Sequence, residues 1–125
     1  MVDNPAYDDT KDTWVAVASR TKANLRGAKT RNGSHYKLVE VIQPKNPRGR
    51  SDEFLATYMN YYVCNGAVIA PQFGDPPANA AARNVLAALF PGREIVMVNI
   101  DPIAAGGGGI HCATQQQPQS GRRDG

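Results

Sequence analysis

Hydrophobic positions recur along this chain with two different periods. Over residues 7–28, Trp14, Val17, Ala18 and Leu25 return at near-helical spacing, and Asp8 and Asp9 lie at the end where a helix dipole favours negative charge. The spacing predicts a helix, weakened by Gly27 and several threonines. Asn32-Gly33 is a turn signal. Residues 37–42, Lys-Leu-Val-Glu-Val-Ile, alternate in part and predict a strand. Residues 44–51 form a basic loop containing proline and glycine.

The second half is more apolar. Residues 58–63, Tyr-Met-Asn-Tyr-Tyr-Val, predict a strand, and Asn65-Gly66 predicts a hairpin turn into a buried strand at 67–70. Residues 71–74 read as a loop. Asp75 then caps a helix over 77–90, with Pro76 in its first turn and Ala81, Val85, Leu86, Leu89 and Phe90 as its apolar stripe. Pro91-Gly92 stops that helix. Residues 95–98 predict another buried strand, and a loop from Asp101 leads through glycines to a last short strand holding Cys112. The order from Tyr58 onward is strand, strand, helix, strand, in a mixed α/β (α+β) chain. Three parts emerge within a single partial domain: a helix-strand segment with its loop at 1–50, a C-terminal module at 51–118, and a polar tail at 119–125.

Composition narrows the function. At 125 residues the chain holds one modest domain, and 42% hydrophobic content suits a folded one. The net charge of +3 is scattered. Arg48, Arg50, Arg122 and Arg123 sit in loop or tail sequence without interleaved aromatics, which argues against nucleic acid as a partner. No apolar run is long enough to span a membrane, and the N-terminus lacks the regions of a signal peptide. Two cysteines, Cys64 and Cys112, are too few for a disulfide scaffold. The expected location is the cytoplasm.

The candidate chemistry lies in Gly106-Gly107-Gly108-Gly109-Ile110-His111-Cys112. Glycines let backbone approach a ligand closely, and a cysteine just beyond them is placed as a nucleophile. A phosphate cradle does not fit, because no Lys-Ser/Thr follows. If residues 110–113 are extended, His111 and Cys112 face apart, so His111 reads as a packed or hydrogen-bonded histidine rather than as the base. Asp75 reads as a helix cap, Cys64 as a small buried apolar group, and Tyr58, Tyr61 and Tyr62 as core and interface.

Residues 57–75 (Thr-Tyr-Met-Asn-Tyr-Tyr-Val-Cys-Asn-Gly-Ala-Val-Ile-Ala-Pro-Gln-Phe-Gly-Asp), Phe90-Pro91-Gly92-Arg93, and the Gly-Gly-Gly-x-Ile-His-Cys-x-Thr-Gln-Gln-Gln-Pro block together resemble the C-terminal part of agmatine deiminases. Their wider group includes the Porphyromonas-type peptidyl-arginine deiminases. The resemblance is strong over residues 54–118 and loose over the first 45. It implies a pentein-type α/β propeller fragment of about one to two ββαβ modules. It also implies hydrolysis of a guanidinium group, agmatine and water giving N-carbamoylputrescine and ammonia, with peptidyl-arginine as the alternative substrate. Cys112 then matches the nucleophile, while Asn60, Gly106, Gly107 and Gly108 match substrate-binding positions. Gly109 departs from the asparagine usual there. No cofactor or metal is implied.

The family's Gly-His-x-Asp motif is missing, since His35 is followed by Tyr36 and Lys37. The upstream acidic motif that helps hold the guanidinium is missing too. The resemblance therefore implies an incomplete site, catalytic only with further modules, or a non-catalytic truncated fragment. A piece of a closed fan is expected to self-associate or to bind the remaining modules through its uncovered edges.

Overall fold

Asn65-Gly66 joins two strands as an antiparallel hairpin in the computed structural model, which describes residues 1–4 and 13–118. Strands β1 (Val2–Asn4) and β2 (Glu40–Ile42) pair in parallel as a two-stranded sheet, with helix α1 (Thr13–Gly27) between them in sequence. Strands β3 (Tyr62–Cys64), β4 (Ala67–Gln72) and β5 (Glu94–Asn99) form a three-stranded sheet in that order. β4 runs parallel to β5, as the crossover through helix α2 (Pro76–Leu89) requires. A short helix α3 (Asp101–Ala104) and a 3₁₀ turn (His111–Ala113) complete the described elements. The strand-strand-helix-strand order read from the sequence is therefore present.

Several boundaries differ, each for a local reason. The predicted first helix begins at Thr13 among the described residues; its expected start at 7–12, and the 119–125 tail, lie outside them. Its inward face carries Val15, Ala18, Lys22 and Leu25, whereas Val17 is exposed. Lys22 Nζ reaches Glu40 Oε2 at 3.0 Å and ties α1 to β2. The strand expected at 37–42 is Glu40–Ile42, the residues that pair with β1 among those described.

The strand expected from Tyr58 begins only at Tyr62. Thr57 Oγ1 accepts the Met59 N–H at 3.1 Å, a local side-chain turn that competes with a ladder. Pro71 and Gln72 belong to β4 rather than to a loop. Pro71 is tolerated there because it lies beyond the end of β3, where no partner needs its missing N–H. On α2 the buried residues are Ala82 and Leu86, not Ala81, and Leu89 is exposed. Cys64 is half-buried rather than buried.

The core lies in two clusters. One joins Val68 and Ala70 of β4 to Leu86 and Ile95. The other gathers Val41, Tyr58, Phe73, Ala82, Ile100, Ala104 and Ile110, drawing on β2, α2, α3 and the cysteine loop. Tyr58 and Phe73 are fully buried, with ring centroids 5.3 Å apart. Asn79 on α2 locks them: its Oδ1 accepts the Tyr58 hydroxyl at 2.8 Å and the Phe73 N–H at 3.1 Å. Burial, reinforced by Asp75, holds the Tyr58 hydroxyl neutral well above the usual phenol range.

Asp75 does more than cap α2. Its Oδ1 accepts the Ala78 N–H at 3.2 Å, while Oδ2 accepts the N–H groups of Lys45 and Asn46 at 2.9 and 3.1 Å. Those bonds, the one from Asn46 foremost, hold its carboxyl below the usual range. A depressed native value means that Asp75 stabilises the fold above about pH 4, the unfolded-state value. That contribution is lost as pH falls through the native value. Asp75→Asn is expected to cost about 1–2 kcal/mol at pH 7, because its amide nitrogen cannot accept a bond. The gap from the parent narrows as pH drops below 4, measured by thermal melts across pH 2–7.

Candidate active site

The residues that frame the cysteine come from two loops pinned by the core. Asp101–Ala104 is helical rather than looped, and the glycine run terminates it. Gly107 N–H donates to Ala104 O at 3.0 Å and Gly108 N–H to Ile103 O at 3.2 Å. Gly107 has φ +76°, the left-handed residue that such a paired cap requires. Ile110 then enters the core beside Tyr58, and the chain turns back to the surface at His111. Leu55 N–H donates to Ala104 O at 3.0 Å, holding the segment before Tyr58 against α3.

The strand expected to carry Cys112 is a 3₁₀ turn instead. Ala113 N–H donates to Ile110 O at 3.1 Å, and Thr114 Oγ1 to the same carbonyl at 2.9 Å, so the backbone is satisfied locally without a sheet partner. Opposite-facing geometry therefore does not explain His111, which is exposed next to the exposed Cys112. The thiol is open to solvent rather than sealed in hydrocarbon.

Asn60 and Cys112 meet, although 52 residues separate them. Asn60 Oδ1 accepts the His111 N–H at 2.7 Å, and Asn60 Nδ2 donates to Cys112 Sγ at 3.1 Å. The first bond orients the amide, since a backbone N–H must face oxygen, and that turns the NH₂ onto sulfur. The Cys112 thiol is held below its ordinary value, chiefly by the Asn60 hydrogen bond and next by backbone at Gly109. Among the described residues neither His35 nor His111 is among the groups acting on that thiol. His35 sits in an isolated bridge to Lys29.

The expected substrate-binding glycines have a local role as well: Gly106 to Gly108 form the helix-ending turn. The sequence reading missed the network behind them. Arg48 Nε and Nη2 grip Asp101 Oδ2 and Oδ1 at 2.6 and 3.0 Å, and Arg48 also donates to Gln72 Oε1 at 2.7 Å and Gln72 O at 2.8 Å. The Asp101 bond raises Arg48 above its ordinary value, and Arg48 lowers Asp101. This fork fastens the 44–51 loop to the end of β4 and the start of α3. The only advance signal was the position of Arg48 in a basic loop. Among the described residues no group of His, Cys, Asp and Glu side chains is arranged to hold a metal ion. No helix among them is long and apolar enough to cross a membrane.

Fold and site together define a mixed α/β protein that presents a polarised thiol at its surface. The chain belongs to the Porphyromonas-type peptidyl-arginine deiminase family, whose model matches residues 2–118. Over 80 residues it is 45% identical to an agmatine deiminase of Pseudomonas aeruginosa (strain LESB58), covering 64% of this chain and 22% of that protein. Over 85 residues it is 42% identical to an agmatine deiminase of Pseudomonas putida, covering 68% of this chain and 23% of that protein. The solved agmatine deiminase of Enterococcus faecalis superposes with a TM-score of 0.78 at 26% identity, covering 94% of this chain and 36% of that one. The chain spans about a third or less of the length of the curated relatives it matches.

Proposed function

We propose that this chain carries the nucleophile of a guanidine-group hydrolase acting on agmatine in the cytoplasm. The observation that carries the reading is the exposed Cys112 thiol with the Asn60 amide donating to its sulfur, in a chain of the deiminase family. In this reading the β3-β4-α2-β5 unit is one module of a pentein-type propeller, supported by the likeness to the Enterococcus enzyme.

Guanidinium carbon is planar, charge-delocalised and a poor electrophile, so thiolate is the side chain suited to attack it. The Cys112 sulfur forms a bond to that carbon, giving a tetrahedral adduct. One nitrogen takes a proton from a general acid and leaves as ammonia, and a thiouronium remains on sulfur. Water adds to the same carbon and gives up a proton to a base. The carbon–sulfur bond then breaks, releasing N-carbamoylputrescine and regenerating the thiolate. The acid-base group and the carboxylates that grip the cation are supplied by residues other than those around Cys112. The Gln115-Gln116-Gln117 stretch and the names of the relatives favour agmatine over peptidyl-arginine.

A second reading, a non-catalytic piece that acts only in association, is favoured by what acts on the sulfur among the described residues: the Asn60 amide and backbone, with no imidazole among them. Strands β3 and β5 edge the larger sheet and offer pairing surfaces to other modules or to a second copy. The test is ammonia release from agmatine and from a peptidyl-arginine substrate, with Cys112→Ser as the blank. Cysteine-dependent release from agmatine alone supports the first reading. Release equal to the blank from both substrates supports the second.

A further inference from the structure

Gly109 is buried between the helix-ending turn and Ile110, and it faces the side chain of Asn60. A Cβ built on Gly109 falls on the Asn60 amide, overlapping its Cγ and Nδ2 and lying 2.6 Å from its Cβ. Real Cβ atoms essentially never come that close to a neighbour. The same amide is committed at both ends, its oxygen to His111 N–H at 2.7 Å and its nitrogen to Cys112 Sγ at 3.1 Å. It therefore has no alternative position that keeps both bonds.

We infer that Gly109 is a positioning residue for Cys112: its missing side chain leaves the volume into which Asn60 fits to bridge the His111 amide and the Cys112 sulfur. Position 109 and Asn60 share one space, and only one side chain occupies it. Any side chain at 109 is incompatible with Asn60 as placed here. Gly109 is distinct in this from Gly106, where an added Cβ meets nothing closer than Ile103 O at 3.6 Å. The inference deepens the reading of Cys112 as a nucleophile and rests on it for its consequence, but its test reads the thiol and the fold rather than turnover. A chain that hydrolyses nothing can still show the coupling, and an active chain can lack it.

The experiment compares iodoacetamide labelling of Cys112 at pH 7, followed by intact mass, in the Cys64→Ser background. Asn60→Ala removes the donor and is expected to slow labelling by roughly two- to tenfold, the range one hydrogen bond commands. Gly109→Ala is expected to slow it by a similar factor through displacement of Asn60. The double variant is expected to be no slower than the slower single one. Gly27→Ala, where an added Cβ meets nothing within 4 Å, serves as the control. Melting temperatures keep the idea testable if Gly109→Ala folds poorly. Gly109→Ala should lower the melting point in the parent, and this loss should largely vanish when Asn60→Gly vacates the shared space. Labelling of Gly109→Ala at the parent rate, full multiplication of the two factors, or an equal thermal loss in both backgrounds overturns the inference.

Discussion

Phe73→Ala is expected to remove about 3–5 kcal/mol of stability, the range for truncating a buried phenylalanine. The ring is fully buried, stacks obliquely on Tyr58 and meets Phe54 edge-on with centroids 5.9 Å apart. Its backbone is held from both sides, by Asn79 Oδ1 on its N–H and by Arg48 N–H on its carbonyl at 2.8 Å. The walls of the resulting cavity therefore cannot close by shifting residue 73. Domains of this size hold about 5–15 kcal/mol in total, so the loss is a large share. Thermal melts should shift down by roughly 10–20 °C, whereas Phe73→Leu, which keeps most of the volume, should shift much less. Ile110 packs in the same cluster, so Phe73→Ala should also loosen the turn that presents Cys112. A loss below about 1 kcal/mol would mean the cluster does not hold the fold in the way described.

Cys112→Ser carries the largest functional effect. Serine keeps the shape and the hydrogen-bond partner, but its hydroxyl ionises far less readily than a thiol and attacks a delocalised cation poorly. Any turnover of agmatine by the assembled site is expected to fall on the order of 10³-fold or more, as when an essential nucleophile is removed. Folding should be unaffected, because the side chain is exposed and packs against little. Unchanged turnover in Cys112→Ser, measured as ammonia release from agmatine, would remove the thiol from the mechanism.

Much of this was legible in the residues. The ββαβ order followed from short apolar runs separated by Asn65-Gly66, Asp75-Pro76 and Pro91-Gly92, which are local signals. Asp75 was readable as a cap, but not as the anchor of residues 45 and 46, because that bond spans 30 positions. Aromatic residues at 58–62 mimic a strand, and only the Thr57 turn and the full burial of Tyr58 show otherwise. Cys112 was singled out in the sequence and is exposed in the structure, but its 3₁₀ setting was hidden behind the β-like run Ile110-His111-Cys112. Asn60 drew attention through family resemblance, while its bonds to His111 and Cys112 needed the fold to bring positions 60 and 112 together. The Arg48 fork was illegible for the same reason: its partners lie 24 and 53 residues away.

The central claim is that Cys112 is an accessible thiol whose ionisation is eased by its Asn60 partner. The most direct measurement is the rate of iodoacetamide alkylation of Cys112 from pH 5 to 10 in the folded Cys64→Ser chain, alongside a free cysteine derivative. A titration midpoint below that of the free thiol, moving up toward it in Asn60→Ala, is the predicted result. A profile that overlays the free thiol, or a Cys112 that reacts only after unfolding, contradicts it.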